Sequence, residues 1–283
     1  MSPEPTDEFE GDRVAEPADV DGVLSWREAG NGDVVLFLHG LGGTRDSWEP
    51  QLCGLSRRWR CVAWDMPGYG ASRPLTALSF VSIADAVVEL LDQLGVERAH
   101  LCGLSFGGQQ ALHVALNHPQ RVASMVLADT SAAFGADGTD AAEWKRERLA
   151  PLDAGTTPAE MAHGVIAAIA APGFGGEQLR RTVDSFGRIS ASGLRAAVEC
   201  LPSHDVVDRL SEIVAPTLVV VGELDHETPV EYSTVLAEGL ANSRLEILEG
   251  IGHLTPAEAP DRFNLAVTTF LDGLETPPQA SVA

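Results

Sequence analysis

Short, unbroken runs of apolar and β-branched residues recur along the chain and predict buried strands. Each run is too short for a helix and has the continuous apolar character of a strand that is covered on both faces of a sheet. These runs lie at residues 34–38, 61–64, 99–102, 122–128, 217–221 and 244–248. A weaker pattern between residues 20 and 28 predicts one further strand. The pattern therefore indicates a sheet at the centre of the protein.

Apolar residues spaced three and four positions apart predict amphipathic helices between most of these strands. The clearest case is residues 79–94, where apolar positions recur at helical spacing and Gly95 ends the pattern. Further helices are predicted at residues 48–55, 106–117, 230–240 and 256–274. Strands that alternate with helices at this spacing are typical of parallel βαβ units. We therefore expect an α/β fold with a mostly parallel, doubly wound sheet.

Residues 131–206 break this alternation, because they carry helical patterns and no convincing strand. Helices are predicted at residues 141–149, 158–169, 177–189 and 193–201. Such an insertion is expected to form a lid over the carboxyl edge of the sheet, and its alternative is a helical layer without a role in substrate choice. It carries seven basic residues: Lys145, Arg146, Arg148, Arg180, Arg181, Arg188 and Arg195. Lid arginines suit a substrate carboxylate, although solvated helix surfaces carry arginines as well.

The same patterns divide the chain into a core and an insertion. Residues 1–18 are acidic and contain proline, so we expect a disordered tail. Residues 19–130 and 207–274 are expected to form the α/β core, and residues 131–206 a helical cap. Residues 275–283 are expected to form a flexible tail.

Composition and charge narrow the classes of function. The chain has 283 residues, and no run approaches the roughly 20 apolar residues of a membrane helix. Its formal net charge of −22 argues against nucleic acid and anionic membranes as partners. The acidic N-terminus lacks the basic and apolar segments of a signal peptide, which predicts a cytoplasmic protein. The four cysteines show no metal-ligand spacing, so no metal site is expected.

The sequence around Ser105 predicts a strand, a sharp turn and a helix. The strand pattern stops at Cys102 and the helix pattern starts near Phe106, which leaves almost no residues for the reversal. Gly103 and Gly107 flank the serine and lack the Cβ atoms that would clash in such a turn. A serine at its apex exposes its hydroxyl at a helix N-terminus, where a nucleophile is useful. We therefore regard Ser105 as a candidate nucleophile.

A serine hydroxyl needs a base within hydrogen-bond reach, and the base needs an acceptor that fixes its tautomer. Asp225 follows a predicted strand, and His253 lies in a glycine-flanked loop after the next strand. The ends of parallel strands open at one edge of a sheet, so these residues are expected to meet Ser105 there. Asp129 also follows a strand and is the alternative acid.

A glycine-rich loop at residues 39–43 follows the first central strand. Its backbone N–H groups, chiefly that of Leu41, are expected to face a site at the carboxyl edge of the sheet. The loop lacks the sequence patterns of nucleotide-binding loops, which argues against a phosphate site. His39 is expected to support the loop and not to act as a base.

Five segments together resemble the successive motifs of the α/β-hydrolase superfamily. They begin at His39, Asp65, Gly103, Gly222 and Gly252, and read HGLG, DMPGYGAS, GLSFGG, GELD and GH. The resemblance covers roughly residues 20–274. Within it, the segment from Arg121 to Thr130 and the segment Ala215-Pro216-Thr217 resemble the 3-oxoadipate enol-lactonase group and its relatives. Phe106 stands where the superfamily commonly has Met, and its bulk is expected to reshape the floor of the pocket.

The resemblance implies an eight-stranded, mostly parallel sheet with a helical cap inserted after the sixth strand. It also implies a serine hydrolase without metal or cofactor, in which Ser105, His253 and Asp225 act together. The backbone N–H groups of Leu41 and Phe106 would then receive the oxyanion. The expected partner is a small ester or lactone, such as 3-oxoadipate enol-lactone, and the protein is expected to be a monomer or a homodimer.

Other functions on the same scaffold stay open at this point. They include acyl-homoserine lactone hydrolysis, cleavage of carbon–carbon bonds in vinylogous diketones, haloperoxidase-like or cofactor-free oxygenase chemistry, and non-catalytic binding of a small signalling molecule. A dehalogenase or epoxide hydrolase with an aspartate nucleophile is disfavoured, because residue 105 is serine.

Overall fold

The structure, a computed structural model, describes residues 17–275. The two predicted tails lie outside the described residues, except for residues 17 and 18 and for Glu275. Ala18 begins the first strand, and Glu275 ends the last helix. Regular structure therefore extends slightly beyond the predicted core boundaries.

Eight strands form one sheet in the order β1-β2-β4-β3-β5-β6-β7-β8. Their bounds are β1 (Ala18–Val20), β2 (Ser25–Ala29), β3 (Val34–Leu38), β4 (Arg60–Asp65), β5 (Ala99–Leu104), β6 (Val122–Ala128), β7 (Thr217–Gly222) and β8 (Ser243–Leu248). β1 and β2 pair antiparallel with their neighbours, and the other neighbouring strands are parallel. The predicted mostly parallel α/β sheet is confirmed. The single strand predicted at residues 20–28 is only partly right, because the chain forms two antiparallel strands there, β1 and β2, separated by residues 21–24.

Ten α-helices accompany the sheet in the described residues. Their bounds are α1 (Glu49–Leu55), α2 (Phe80–Gln93), α3 (Phe106–Asn117), α4 (Ala141–Asp153), α5 (Pro158–Ile169), α6 (Gly176–Gly187), α7 (Ala191–Cys200), α8 (Val230–Gly239), α9 (Thr255–Glu258) and α10 (Pro260–Glu275). The prediction of a single helix at residues 256–274 is wrong, because the helix is interrupted at Ala259, between α9 and α10. Ala259 precedes Pro260, which disfavours the helical conformation, and has φ −136° and ψ 60°.

The strand order determines which face of the sheet each helix covers. The connection from β3 to β4 through α1 runs in one direction across the sheet, whereas α2 and α3 carry the chain in the opposite direction. Right-handed crossovers therefore place α1 on one face and α2 with α3 on the other. α10 packs beside α1, and the central strand β3 between these layers is entirely buried. The parallel strands consequently end together at one edge.

Helices α4 to α7 lie between β6 and β7, so the predicted helical cap after the sixth strand is confirmed. The two ends of this insertion are hydrogen-bonded to each other. The Val206 N–H donates to the Ala132 carbonyl at 2.9 Å, and the Phe134 N–H donates to the His204 carbonyl at 2.8 Å. The chain therefore leaves the core and returns to it at one place.

Candidate active site

Ser105 alone makes the turn between β5 and α3. Its backbone has φ 53° and ψ −117°, which is a strained conformation for a residue with a side chain. Two hydrogen bonds hold it there: the Ser105 N–H donates to the Ala128 carbonyl at 2.8 Å, and the Thr130 hydroxyl donates to the Ser105 carbonyl at 2.7 Å. The neighbouring strand β6 therefore fixes the conformation that presents the Ser105 hydroxyl.

The glycines beside Ser105 are required by close backbone contacts. A Cβ atom at Gly103 would lie 2.3 Å from the carbonyl oxygen of Gly107. A Cβ atom at Gly107 would lie 1.9 Å from the carbonyl oxygen of Leu38, at the end of β3. Real atoms do not approach this closely, so α3 can pack against β3 and β5 only with glycine at both positions.

Ser105, His253 and Asp225 lie in one hydrogen-bonded chain. The Ser105 Oγ is 3.0 Å from His253 Nε2, and His253 Nδ1 is 2.8 Å from Asp225 Oδ2. His253 and Asp225 are 6% and 3% exposed, so water competes little for these contacts. With the Nδ1 proton donated to Asp225, His253 Nε2 is able to accept the proton of the serine hydroxyl. The structure thus brings together the three residues singled out in the sequence.

The loop after β7 holds the carboxylate of Asp225 in place. Its Oδ1 accepts hydrogen bonds from the N–H groups of Glu227 and Thr228, both at 2.9 Å. Its Oδ2 accepts the hydroxyl of Thr228 at 2.8 Å in addition to the histidine. Thr228 was not identified from the sequence. The signal that points to it is the turn in which an aspartate binds the N–H groups two and three residues ahead.

Burial and charge act in opposite directions on the His253–Asp225 pair. Burial raises the pKa of Asp225, but the attraction of His253 and its hydrogen bonds outweigh burial and leave that pKa below its ordinary value. Burial lowers the pKa of His253, and the attraction of Asp225 reverses this and raises it above 6.5. Asp225 therefore stabilises the protonated imidazole that a proton transfer from Ser105 would create.

Asp129, the alternative acid, is fully buried beside this pair but bonds elsewhere. Its Oδ1 accepts the Gly222 N–H at 3.0 Å, and its Oδ2 accepts the N–H and hydroxyl of Thr255 at 2.9 and 2.8 Å. Burial, followed by repulsion from Asp225, raises the pKa of Asp129 to about 7. These bonds connect the end of β6 to the end of β7 and to the start of α9, which follows His253.

The glycine-rich loop packs directly against the serine turn. Gly40 is so close that a Cβ atom there would lie 3.4 Å from the Ser105 Cβ. The hydroxyl of Tyr69 donates to the Leu41 carbonyl at 3.0 Å and fixes the loop from behind. Among the described residues, the N–H groups of Leu41 and Phe106 have no acceptor. Both amides are therefore able to donate to a bound group.

His39 and Phe106 occupy supporting positions. The His39 ring accepts the Met66 N–H at its Nε2, 3.0 Å away, and its Nδ1 is 2.9 Å from the Gly40 carbonyl, as expected for a residue that supports the loop. The Phe106 ring is fully buried and packs edge-on against Phe80 with a centroid distance of 5.5 Å. The expectation that its bulk reshapes the pocket floor is wrong, because the ring points into the core.

A cavity of about 640 Å³ opens above Ser105 and His253, between the sheet edge and the cap. All four cap helices contribute to its lining. Their contribution is largely apolar and includes Trp144, Met161, Ile166, Phe186, Leu194 and Val198. The cavity is large enough for a small organic molecule and places it against the serine hydroxyl.

The cap is hydrogen-bonded to the loop that carries His253. The His253 N–H donates to the carbonyl of Ile169, at the end of α5, at 3.1 Å. The carboxylate of Glu258 accepts the N–H groups of Ala171, Gly252 and Leu254 at 2.9 to 3.0 Å. Glu258 therefore joins the cap to both neighbours of His253, and the sequence alone did not reveal this contact.

A second group of contacts joins the cap to the loop after β3. The hydroxyl of Ser185 in α6 lies 2.8 Å from the hydroxyls of both Thr44 and Ser47, and it accepts the Thr44 N–H at 3.1 Å. The adjacent Phe186 ring packs directly on Gly42, and a Cβ atom at Gly42 would lie 2.7 Å from Phe186 Cδ2. The cap thus touches both loops that flank the serine.

Two further structural findings concern the described residues only. Within residues 17–275, no helix combines the length and apolar character needed to cross a membrane. The same residues contain no cluster of three or more His, Cys, Asp or Glu side chains arranged to hold a metal ion.

Comparisons with known proteins agree with this architecture. The sequence profile of the family described as alpha/beta hydrolase fold matches residues 33–260. The chain is 29% identical to 3-oxoadipate enol-lactonase 2 of Acinetobacter baylyi, over 89% of this chain and 94% of that protein. It is also 29% identical to 2-hydroxy-6-oxo-6-phenylhexa-2,4-dienoate hydrolase of Comamonas testosteroni, over 92% and 94%.

Among solved structures, a thermophilic esterase from Thermogutta terrifontis superposes with a TM-score of 0.82 at 25% identity. The superposition covers 93% of this chain and all of the esterase. The strand order, the serine turn and the sequence profile point to the same conclusion: the chain belongs to the α/β-hydrolase fold family.

Proposed function

We propose that the protein is a cofactor-independent serine hydrolase that cleaves small carboxylic esters or lactones through an acyl-enzyme. The observation that carries this proposal is the hydrogen-bonded chain from Ser105 through His253 to Asp225 at the base of a cavity. In this proposal the three residues form a catalytic triad. The names of the esterase and the enol-lactonase that resemble the chain support the same class of bond, and 3-oxoadipate enol-lactone is one candidate substrate.

In the first half of the reaction, the Ser105 oxygen attacks the carbonyl carbon of the ester. His253 Nε2 takes the hydroxyl proton, and Asp225 stabilises the imidazolium. The carbonyl oxygen becomes an oxyanion and accepts hydrogen bonds from the N–H groups of Leu41 and Phe106. When the tetrahedral intermediate collapses, the alcohol oxygen leaves with the proton of His253 and the acyl group stays on Ser105. In a lactone the alcohol remains attached to the acyl chain.

In the second half, water replaces the alcohol. His253 accepts a proton from water, whose oxygen attacks the acyl carbon, and the same two N–H groups receive the second oxyanion. Collapse returns the proton to Ser105 and releases the carboxylic acid. Each oxyanion donor of this kind commonly contributes about 2.7–4 kcal/mol to transition-state stabilisation. The N-terminus of α3, where Phe106 lies, adds a favourable dipole for the same charge.

The decisive experiment compares the wild type with Ser105→Ala on 4-nitrophenyl esters and small lactones, 3-oxoadipate enol-lactone among them. We expect serine-dependent turnover of an ester or a lactone and loss of nearly all activity in the variant, because no other nucleophile occupies the turn. Activity of the variant above a few per cent of the wild-type rate would refute the assignment of Ser105. Circular dichroism confirms that the variant is folded.

A second candidate function is hydrolysis of a carbon–carbon bond in a vinylogous diketone. It is favoured by the resemblance to the Comamonas testosteroni hydrolase, whose name describes a dienoate substrate. The same panel distinguishes the two, with that dienoate added. Serine-dependent cleavage of the dienoate without turnover of any ester or lactone would place the second function first. Stoichiometric binding without turnover would indicate a non-catalytic homologue.

A further inference from the structure

The basic residues of the cap are all paired with carboxylates, which bears on the substrate. Arg180 and Arg181 both contact Glu177, and Arg146 contacts Glu143 at 3.0 Å. The remaining pairs are Lys145 with Glu199, Arg148 with Glu227, Arg188 with Asp46 and Arg195 with Asp153. Each basic residue of the cap therefore already has a carboxylate partner, and Arg180 and Arg181 share one.

Arg148 is the only one of these seven basic residues that lines the cavity. Its guanidinium lies 3.2 Å from the carboxylate of Glu227 and stacks over the ring of Trp144 at 5.2 Å from the centroid. The Arg148 guanidinium is thus already occupied by a carboxylate and by an aromatic ring of the protein itself. The Arg148 and Glu227 side chains are 43% and 42% exposed, which places this pair at the mouth of the cavity.

Apart from His226 and His253, the other charged side chains along the cavity are acidic. Asp137, Glu147 and Glu227 line it, and Arg148 is the single lysine or arginine among the described lining residues. The mouth of the cavity therefore carries an excess of negative charge, and its interior is largely apolar. A substrate that carries its own carboxylate would be repelled at the mouth and would lose water inside without gaining a lysine or arginine as counter-ion.

We propose that the cavity selects esters or lactones whose acyl part is uncharged and apolar, and that it discriminates against substrates with an ionised carboxylate. This selectivity rests on the proposed hydrolase function. This selectivity disfavours 3-oxoadipate enol-lactone among the candidate substrates of the proposed function. That lactone carries a free carboxylate, and the cap offers no unpaired guanidinium to hold it. The leaving alcohol is not constrained by this argument.

The test compares 4-nitrophenyl hexanoate with mono(4-nitrophenyl) adipate. The two acyl chains have equal length, and the second ends in a carboxylate. We expect kcat/KM for the neutral ester to exceed that for the charged ester by about 30-fold or more, after normalisation to their hydroxide-catalysed rates. Raising the salt concentration from about 50 mM to about 500 mM should narrow the ratio, because salt screens charges at the exposed mouth.

A charge variant tests the cause of the discrimination. Glu227→Gln removes one negative charge and releases Arg148, so we expect the ratio to fall about 3- to 10-fold toward the charged ester. The ratio is used because Glu227 also acts on His253, and such an effect cancels between two substrates. Glu177→Gln is the matched control. It removes one charge from a carboxylate that contacts Arg180 and Arg181 in the cap, none of which lines the cavity, and it should leave the ratio unchanged.

Failure of the proposed selectivity and failure of the proposed hydrolase function would give different results. Ser105-dependent turnover with a preference for the charged ester would overturn the selectivity and leave the hydrolase intact. An equal response of the ratio to Glu227→Gln and Glu177→Gln would overturn it as well. Absence of any Ser105-dependent turnover on esters and lactones would refute the hydrolase function, and the selectivity would fall with it. Three results together support the proposal. The neutral ester is preferred by the expected ratio, salt narrows that ratio, and the ratio responds to Glu227→Gln but not to Glu177→Gln.

Discussion

The carboxyl edge of the sheet and the helical cap contribute to the same cavity in different ways. At the edge, hydrogen bonds from residues of the same loops fix the candidate groups. The two oxygens of Asp225 accept four hydrogen bonds, two of them from backbone N–H groups. In the cap, the lining consists of side chains from four separate helices, and the charged groups pair at its surface. The chemistry of the site therefore depends on local backbone geometry, whereas the choice of substrate depends on how distant helices pack.

The two regions are not independent, because they meet at the loops that flank Ser105. Ile169 and Glu258 connect the cap to the loop of His253, and Ser185 connects it to the loop of Leu41. Changes at the sheet edge should therefore affect the chemical step most. Changes at the cap contacts should affect it less, and charge changes nearby should mainly shift its pH dependence.

The largest effect is expected from Asp225→Asn. The amide cannot hold the tautomer and the positive charge of His253 as the carboxylate does, so kcat should fall by roughly 10⁴-fold, as in triads generally. Asp129→Asn should cost less than about tenfold in kcat, because Asp129 bonds to Gly222 and Thr255 and not to His253. Steady-state kinetics on a 4-nitrophenyl ester measures both.

Asp129→Asn should also lower the stability of the protein. Its amide NH₂ group would face a backbone N–H or a hydroxyl that now donates to the carboxylate, and the lost hydrogen bond should cost about 1–3 kcal/mol in the free energy of unfolding. The opposite result would contradict the assignment of Asp225. If Asp129→Asn lost roughly 10⁴-fold in kcat and Asp225→Asn stayed nearly active, Asp129 would be the acid of the triad.

An intermediate effect is expected from Glu258→Gln. The amide nitrogen of the variant would face an N–H group that the carboxylate now accepts, which should loosen the loop of His253 where it meets the cap. We expect kcat to fall about 10- to 100-fold with little change in KM for a neutral ester. Kinetics well below the unfolding temperature separates this positioning role from a loss of folded protein.

Glu160→Gln is the control for that variant. Glu258 bonds to Ala171, just after the end of α5, whereas Glu160 lies in the first turn of the same helix. Glu160 accepts the N–H and hydroxyl of Thr157, both at 2.8 Å, and neither bond involves the loop of His253. This variant should keep wild-type kcat even if the cap loses stability. Equal losses of kcat in both variants would mean that Glu258 acts only through cap stability.

The smallest effect is expected in the pH dependence. His253 must be neutral to accept a proton, and its pKa is raised above 6.5, so kcat/KM should rise with pH through a limb that lies above pH 6.5. The charge of Asp129 contributes to that increase of the pKa of His253. Asp129→Asn should therefore move the limb to lower pH by a fraction of a unit. A limb below pH 6 in the wild type, or a shift to higher pH in the variant, would contradict this assignment.

Much of the core could be predicted from the sequence because its signals are local. The apolar runs correspond to the parallel strands, and the helix predicted at residues 106–117 coincides with α3. The glycines around Ser105 were recognisable because the serine turn requires them within a few residues. The placement of Asp225 and His253 beside Ser105 followed from parallel strands ending at one edge.

The cap contacts could not be predicted, because they join residues far apart in the chain. Ser185 and Thr44 are separated by 141 positions, and no local pattern pairs them. The partners of the cap arginines are also partly distant, as for Arg188 and Asp46. The helix break before Pro260 was missed because apolar spacing continues across it. The cytoplasmic location and the monomeric or homodimeric state stay predictions.

The bond between the His253 N–H and the Ile169 carbonyl has a consequence for protein engineering. Exchange of the cap for that of another family member is a direct route to new substrates, since the sheet edge would keep its own geometry. A transplanted cap must nevertheless supply a carbonyl group where Ile169 now lies and an N–H group for Glu258. A chimera that restores the volume of the cavity without these two backbone groups would bind its new ligand and turn it over slowly.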